Sequence, residues 1–103
     1  MKAALLKSLK HFEIENIEKP TPKGDEVLVK VKAAGICGSD IHKMQSEWKY
    51  QLPMVMGHEF GGEVVEVGSG DEFSIGDWVS IDPNIVCDKC DHCLAKRFAH
   101  CRN

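Results

Sequence analysis

The sequence predicts a mainly β fold: a small barrel or partial barrel with short helices and a separate four-cysteine lobe. Three observations predict it. Short strand-like runs recur along the chain and are punctuated by Gly and Pro turns. One run, Glu26 to Ala34, alternates its side chains with a period of two. Cys87, Cys90, Cys93 and Cys101 crowd into a segment with no strong period of its own.

The bulk composition sets limits on function. A chain of 103 residues is one domain or part of one, and 43% hydrophobic residues suit a packed core rather than disorder. The net charge is −3, with Lys and Arg scattered, so no nucleic-acid surface is indicated. The apolar run Ala3 to Leu6 is too short for a signal-peptide core, and no run approaches a membrane span. A cytoplasmic protein without membrane or nucleic-acid partners is expected. In that compartment thiols stay reduced, so five Cys and five His read as metal ligands or reactive groups rather than disulfides.

In chain order, Met1 to Leu6 reads as a first strand and His11 to Ile17 as its hairpin partner. Two prolines and a glycine make Lys19 to Asp25 a loop. In Glu26 to Ala34, Val27, Val29 and Val31 share one face, while Leu28, Lys30 and Lys32 share a wet one. Gly35 ends that strand, and Ser39 to Gln45 reads as a short helix. Ser46 to Pro53 is irregular and aromatic, with Trp48 and Tyr50. Phe60 to Val67 is a further strand, closed by Gly68-Ser69-Gly70. Gly76-Asp77 turns into Trp78 to Ile81, which Asp82-Pro83 ends. There is no internal repeat and no low-complexity tract.

The most specific signal is the cysteine lobe. Cys87, Cys90, Cys93 and Cys101 are separated by two, two and seven residues. Four thiolates so close together can surround one tetrahedral zinc and leave no open position, which is the pattern of a structural site. Lys89, Lys96 and Arg97 lie near enough in sequence to offset the negative charge. An iron–sulfur cluster is the rival, but the bacterial ferredoxin run has a three-residue last gap and a following Pro, where this chain has seven residues and Arg102. His92 and His100 neighbour the ligands but are not needed to complete a tetrahedron.

A second constellation lies upstream. Gly35 to His42 offers a thiol, a hydroxyl, a carboxylate and an imidazole, and Gly57-His58-Glu59 follows at the mouth of the next strand. Cys37 precedes a helix start, where free N–H groups favour a thiolate. Cys37 and His58 are therefore candidates to share a zinc ion, against the plainer readings of buried packing and a hydrogen-bonded loop residue. Ser39 and His42 stand three apart and share a helical face. They form a proton path to solvent, or else an N-cap and an exposed polar residue. Asp40 either suits the positive helix end or orients the His58 ring. Glu59 is either a ligand or a neighbour that trades places with water.

These motifs, in this order, resemble the zinc-dependent medium-chain alcohol/polyol dehydrogenase family. They are Gly-Ile-Cys-Gly-Ser-Asp-x-His, Gly-His-Glu-x-x-Gly-x-Val-x-x-Val-Gly, Gly-Asp-x-Val and the four-cysteine lobe. The resemblance covers essentially the whole chain. It implies the N-terminal part of a GroES-like catalytic domain, with the zinc lobe at 87–101. It implies that Cys37, His58 and Glu59 belong to a catalytic zinc site, and Cys87, Cys90, Cys93 and Cys101 to a structural one. Ser39 and His42 then correspond to the proton relay, and Asp40 to the carboxylate that orients the His58 ring behind the zinc. The implied reaction oxidises a small-molecule alcohol, with zinc as Lewis acid and NAD or NADP as hydride acceptor. Gly38 resembles the polyol, sugar-alcohol, butanediol and threonine branches, because liver-type enzymes carry a basic residue after this cysteine. The expected substrate is a secondary alcohol, a polyol or sugar-alcohol phosphate. Trp48 and Tyr50 fall where the family's substrate loop is expected, or else serve ordinary packing. The resemblance also implies a homo-oligomeric parent enzyme.

The chain stops short of the family pattern. A third protein ligand, the strands that close the barrel and a Rossmann domain with Gly-x-Gly-x-x-Gly are expected beyond Asn103. No cofactor-binding residue is therefore expected within these residues, and the fragment alone is expected to be inactive. The competing expectation is a stand-alone structural-zinc interaction module in which only the cysteine lobe matters.

Overall fold

The computed structural model describes residues 1–46 and 51–103. Trp48 and Tyr50, and with them the aromatic substrate-loop expectation, lie outside the described residues. The elements are β1 (Lys2–Ser8), β2 (His11–Asn16), β3 (Val27–Ala34), α1 (Gly38–Gln45), β4 (Met54–Val55), β5 (Phe60–Val67), β6 (Trp78–Ser80), α2 (Asp91–Leu94) and a 3-10 turn at Phe98–His100. Strands dominate, as the alternation and turn residues predict.

The strands form two three-stranded antiparallel sheets, ordered β2-β1-β4 and β3-β5-β6. The first is seeded by the expected hairpin, in which Ser8 pairs with His11 across a tight turn. Lys10 sits in that turn at φ 61°, and its N–H donates to the Met44 carbonyl at 2.8 Å, tying the hairpin to the end of α1. Strand β4 is two residues long and pairs with Leu5 and Leu6. The sequence reading has no strand there, because two residues carry no period and the pairing is set by the partner.

Among the described residues Leu6 and Val64 are the fully buried large side chains, one in each sheet, joined in the core by Leu5. The expected valine face of β3 is dry only at its start. Val27 and Val29 are half-buried, but Val31 is 51% exposed. The reason is geometric: Val31 lines an open cavity of about 490 Å³ with Phe12, Ala34, Val55, Met56 and Phe60. Alternation reports which way a side chain points, not whether another layer covers it.

Strands β3 and β5 pair along their whole length, with Val27 opposite Val67 and Ala34 opposite Phe60. Register shifts interrupt the ladder between Leu28 and Val29 and between Val31 and Ala33. Beside the second shift, Gly62 faces the partner backbone so closely that a Cβ would stand 2.1 Å from the Lys30 carbonyl oxygen. Only glycine permits that approach. Lys32 and Glu63 pair across the strands at 3.6 Å, and an ion pair also joins Lys19 to Glu66. Among the described residues no helix is long and apolar enough to cross a membrane.

Candidate metal centres

Antiparallel pairing of β3 with β5 decides where the upstream constellation meets. The chain leaves β3 after Ala34 at the same end at which it enters β5 at Phe60. One more ladder bond, Gly35 N–H to the Glu59 carbonyl at 2.7 Å, carries the pairing past the strand ends. Cys37 and His58 then emerge side by side. The donor atoms of Cys37, His58 and Glu59 all lie within 4.8 Å of one another.

Asp40 connects the two arms. It sits in the first turn of α1 and is 9% exposed. Its Oδ2 accepts from the Cys37 N–H at 3.1 Å, which closes the helix start. Its Oδ1 has no hydrogen-bond partner but faces His58 Nδ1 at 3.3 Å. A carboxylate against Nδ1 favours the proton on that nitrogen and leaves the Nε2 lone pair to accept a hydrogen bond or hold a metal. At that edge stands Ser39 Oγ, 3.4 Å from Nε2. His42 is exposed on α1, and no hydrogen bond joins its ring to Ser39 among the described residues. A thiol, an imidazole nitrogen and a carboxylate suit zinc, and three protein ligands leave a position open. The convergent donors fit such an ion.

The second cluster is built from α2 and the turn that follows it. Cys90 is the N-cap of α2, Cys93 lies within it, and Cys101 ends the 3-10 turn. Cys87 comes from the preceding loop, where Asp88 takes φ 55° to bend the chain back. The four Sγ atoms lie within 4.8 Å of one another, with Cys90 to Cys93 at 3.5 Å and Cys87 to Cys93 at 3.9 Å. Four sulfurs each 2.3 Å from a central zinc would stand about 3.8 Å apart, so the spacing fits a tetrahedral ion.

Electrostatics inside this cluster are uneven. The Asn103 side chain and the N–H groups of Lys89 and Cys90 hold the Cys87 thiol down at about 6. The N–H groups of Arg102 and Cys93 lower Cys90. Burial, with Cys90 and Cys101 beside it, pushes Cys93 up to about 12. A cation is what would let all four ionise together. Arg102 also grips Asp91 through two bonds of 2.6 and 2.8 Å, locking the end of the lobe onto α2, and it holds the Asp91 carboxyl down at about 2. The sequence expectation assigned charge compensation to Lys89, Lys96 and Arg97, which are exposed. His92 and His100 form a tilted ring pair, centroids 5.8 Å apart, and His92 Nδ1 is buried without a hydrogen-bond partner.

The candidate residues other than His42 therefore fall into two groups, Cys37, His58 and Glu59 with Asp40 and Ser39 around them, and the four cysteines. The family model for the alcohol dehydrogenase GroES-like domain matches residues 23–103. The chain belongs to that family. Over 106 residues it is 39% identical to sorbitol dehydrogenase of Bacillus subtilis strain 168, covering 98% of this chain and 30% of that protein. Over 96 residues it is 43% identical to L-threonine 3-dehydrogenase of Thermococcus kodakarensis, covering 88% of this chain and 27% of the relative. A solved alcohol dehydrogenase of Escherichia coli CFT073, complexed with cofactor NADH, superposes with a TM-score of 0.87 at 40% identity. That match covers 98% of this chain and 30% of the other. The chain thus spans less than a third of the length of these relatives.

Two contributors escaped the sequence reading. Arg102 and Asp91 are eleven residues apart, outside any helical spacing rule, so only the folded lobe pairs them. Gly35 reads in sequence as a strand terminator, yet it lies against Glu59.

Proposed function

We propose that this chain is the N-terminal part of the catalytic domain of a zinc-dependent, NAD- or NADP-dependent oxidoreductase that oxidises a secondary alcohol to a ketone. The substrate class is a polyol, sugar-alcohol phosphate, butanediol or threonine-type alcohol. The observation that carries the reading is the meeting of Cys37, His58 and Glu59 within 4.8 Å, with Asp40 bridging the two arms. The sorbitol and threonine dehydrogenase relatives support the substrate class.

In this reading Cys37 and His58 Nε2 hold the catalytic zinc, and Glu59 stands beside it. When bound, zinc acts as a Lewis acid that lowers the pKa of the substrate hydroxyl. Asp40 fixes the His58 tautomer so that Nε2 stays free. Ser39 Oγ, at the same ring edge, takes the substrate proton, and His42 on the exposed side of α1 passes it to solvent. Cys87, Cys90, Cys93 and Cys101 hold a structural zinc that fastens the lobe. In this reading the parent enzyme is cytoplasmic and homo-oligomeric.

A zinc count on purified protein tests the reading. Two zinc per chain at saturation is the expected result. A single zinc, lost with the four cysteines and indifferent to Cys37→Ser, would instead favour a stand-alone zinc module. A brown, iron-containing protein would contradict both.

A further inference from the structure

The carboxylate of Glu59 reaches the Cys37–His58 cluster over Gly35, a position without a side chain. A Cβ built on Gly35 would stand 2.7 Å from Glu59 Oε2 and 3.4 Å from Glu59 Cβ. The first distance is below contact; the second is tight but tolerable. Gly35 is not among the residues with positive φ, so its backbone does not itself demand glycine. Its N–H is committed to the Glu59 carbonyl at 2.7 Å, which fixes the two residues opposite each other.

We propose that Gly35 is a positioning residue for Glu59. Its missing side chain is the space in which the Glu59 carboxylate rests against the metal cluster. The atom that a methyl group would meet is the free end of an exposed side chain. Relief therefore comes by rotating Glu59 about its side-chain bonds, away from Cys37 and His58, with the backbone unmoved. Gly62 is the contrasting case, because there the obstructing atom is a backbone carbonyl. Gly35→Ala is thus expected to leave the fold intact and to remove one donor from the cluster. The inference rests on the reading of Cys37, His58 and Glu59 as a metal site.

The test is a cobalt titration of the purified chain with the four-cysteine site already filled by zinc, read by visible absorption, alongside thermal unfolding. Four proteins form a cycle: the parent, Gly35→Ala, Glu59→Ala and the double variant. Cys37→Ser and His58→Ala identify the band. The expected result is that Gly35→Ala changes the cobalt spectrum and affinity as Glu59→Ala does, to within about twofold. The double variant should lose nothing further, and melting should be unchanged throughout. The proposal is overturned if Gly35→Ala keeps the parent spectrum while Glu59→Ala alters it, or if the two losses multiply. It is also overturned if Glu59→Ala changes nothing while Cys37→Ser and His58→Ala abolish the band, an outcome that spares the metal-site reading. If the band survives Cys37→Ser and His58→Ala, that reading falls, and the proposal with it.

Discussion

Asp40→Ala removes one side chain that serves two structures, and the two losses can be measured separately. The carboxylate closes the start of α1 through Cys37 N–H at 3.1 Å and faces His58 Nδ1 at 3.3 Å, from a position only 9% exposed. Losing the first contact costs about 1–2 kcal/mol, the scale of a helix N-terminal side-chain bond with its amide left unsatisfied. For a domain of this size that lowers the melting temperature by roughly 4–16 °C. Losing the second frees the imidazole to rotate and costs about 10- to 100-fold in metal affinity at Cys37 and His58. Asp40→Asn separates them, because an amide oxygen still accepts from Cys37 N–H while the charge facing His58 is gone. It should recover most of the melting temperature and little of the affinity. Thermal unfolding by circular dichroism and chelator-competed cobalt titration, with the four-cysteine site filled by zinc, give the two readouts. Parental cobalt affinity in Asp40→Ala, or equal melting losses in the Ala and Asn variants, would refute the reasoning.

Further outcomes follow from the same geometry. Gly62→Ala drives a methyl group into the Lys30 carbonyl, 2.1 Å away in backbone that cannot rotate aside, so β3 and β5 must separate locally. A loss of about 2 kcal/mol or more is expected in urea unfolding, in contrast to the neutral melting of Gly35→Ala. Cys93→Ser, at the buried centre of the cysteine cluster, should abolish zinc retention by the lobe and expose it to proteolysis, leaving cobalt binding at Cys37 measurable. Zinc affinity of the lobe should fall as pH drops. Each ligand binds as a thiolate, and Cys93, pushed up to about 12, still holds its proton at neutral pH. A pH indicator dye in weak buffer should therefore report proton release on zinc addition; uptake without release would count against thiolate ligation.

Much of this was legible in the residues. The hairpin, β3, α1, β5 and β6 follow from alternation and from Gly and Pro punctuation. The two ligand groups follow from cysteine spacing and from the two glycine-flanked motifs. What escaped the sequence is what depends on a partner at a distance. Strand β4 exists because Leu5 and Leu6 present a free edge to Met54 and Val55. The Arg102–Asp91 clasp exists because α2 and the last turn fold back together. Val31 points to the expected face, yet meets a cavity there. Gly35 looks like a stop signal until the register of β3 against β5 lays Glu59 beside it. In each case local pattern fixes direction, and long-range pairing decides the neighbour.

The proposed function implies two distinct metal positions, one formed by the four cysteines and one built on Cys37 and His58. Mapping thiol protection by alkylation and mass spectrometry, as zinc is added stepwise, tests it most directly. With the first equivalent, Cys87, Cys90, Cys93 and Cys101 should become protected while Cys37 still labels; with excess zinc Cys37 should follow, and His58→Ala should restore its labelling. Protection of Cys37 before the four cysteines, or labelling of Cys37 that ignores both zinc and His58, would exclude two metal positions of this kind.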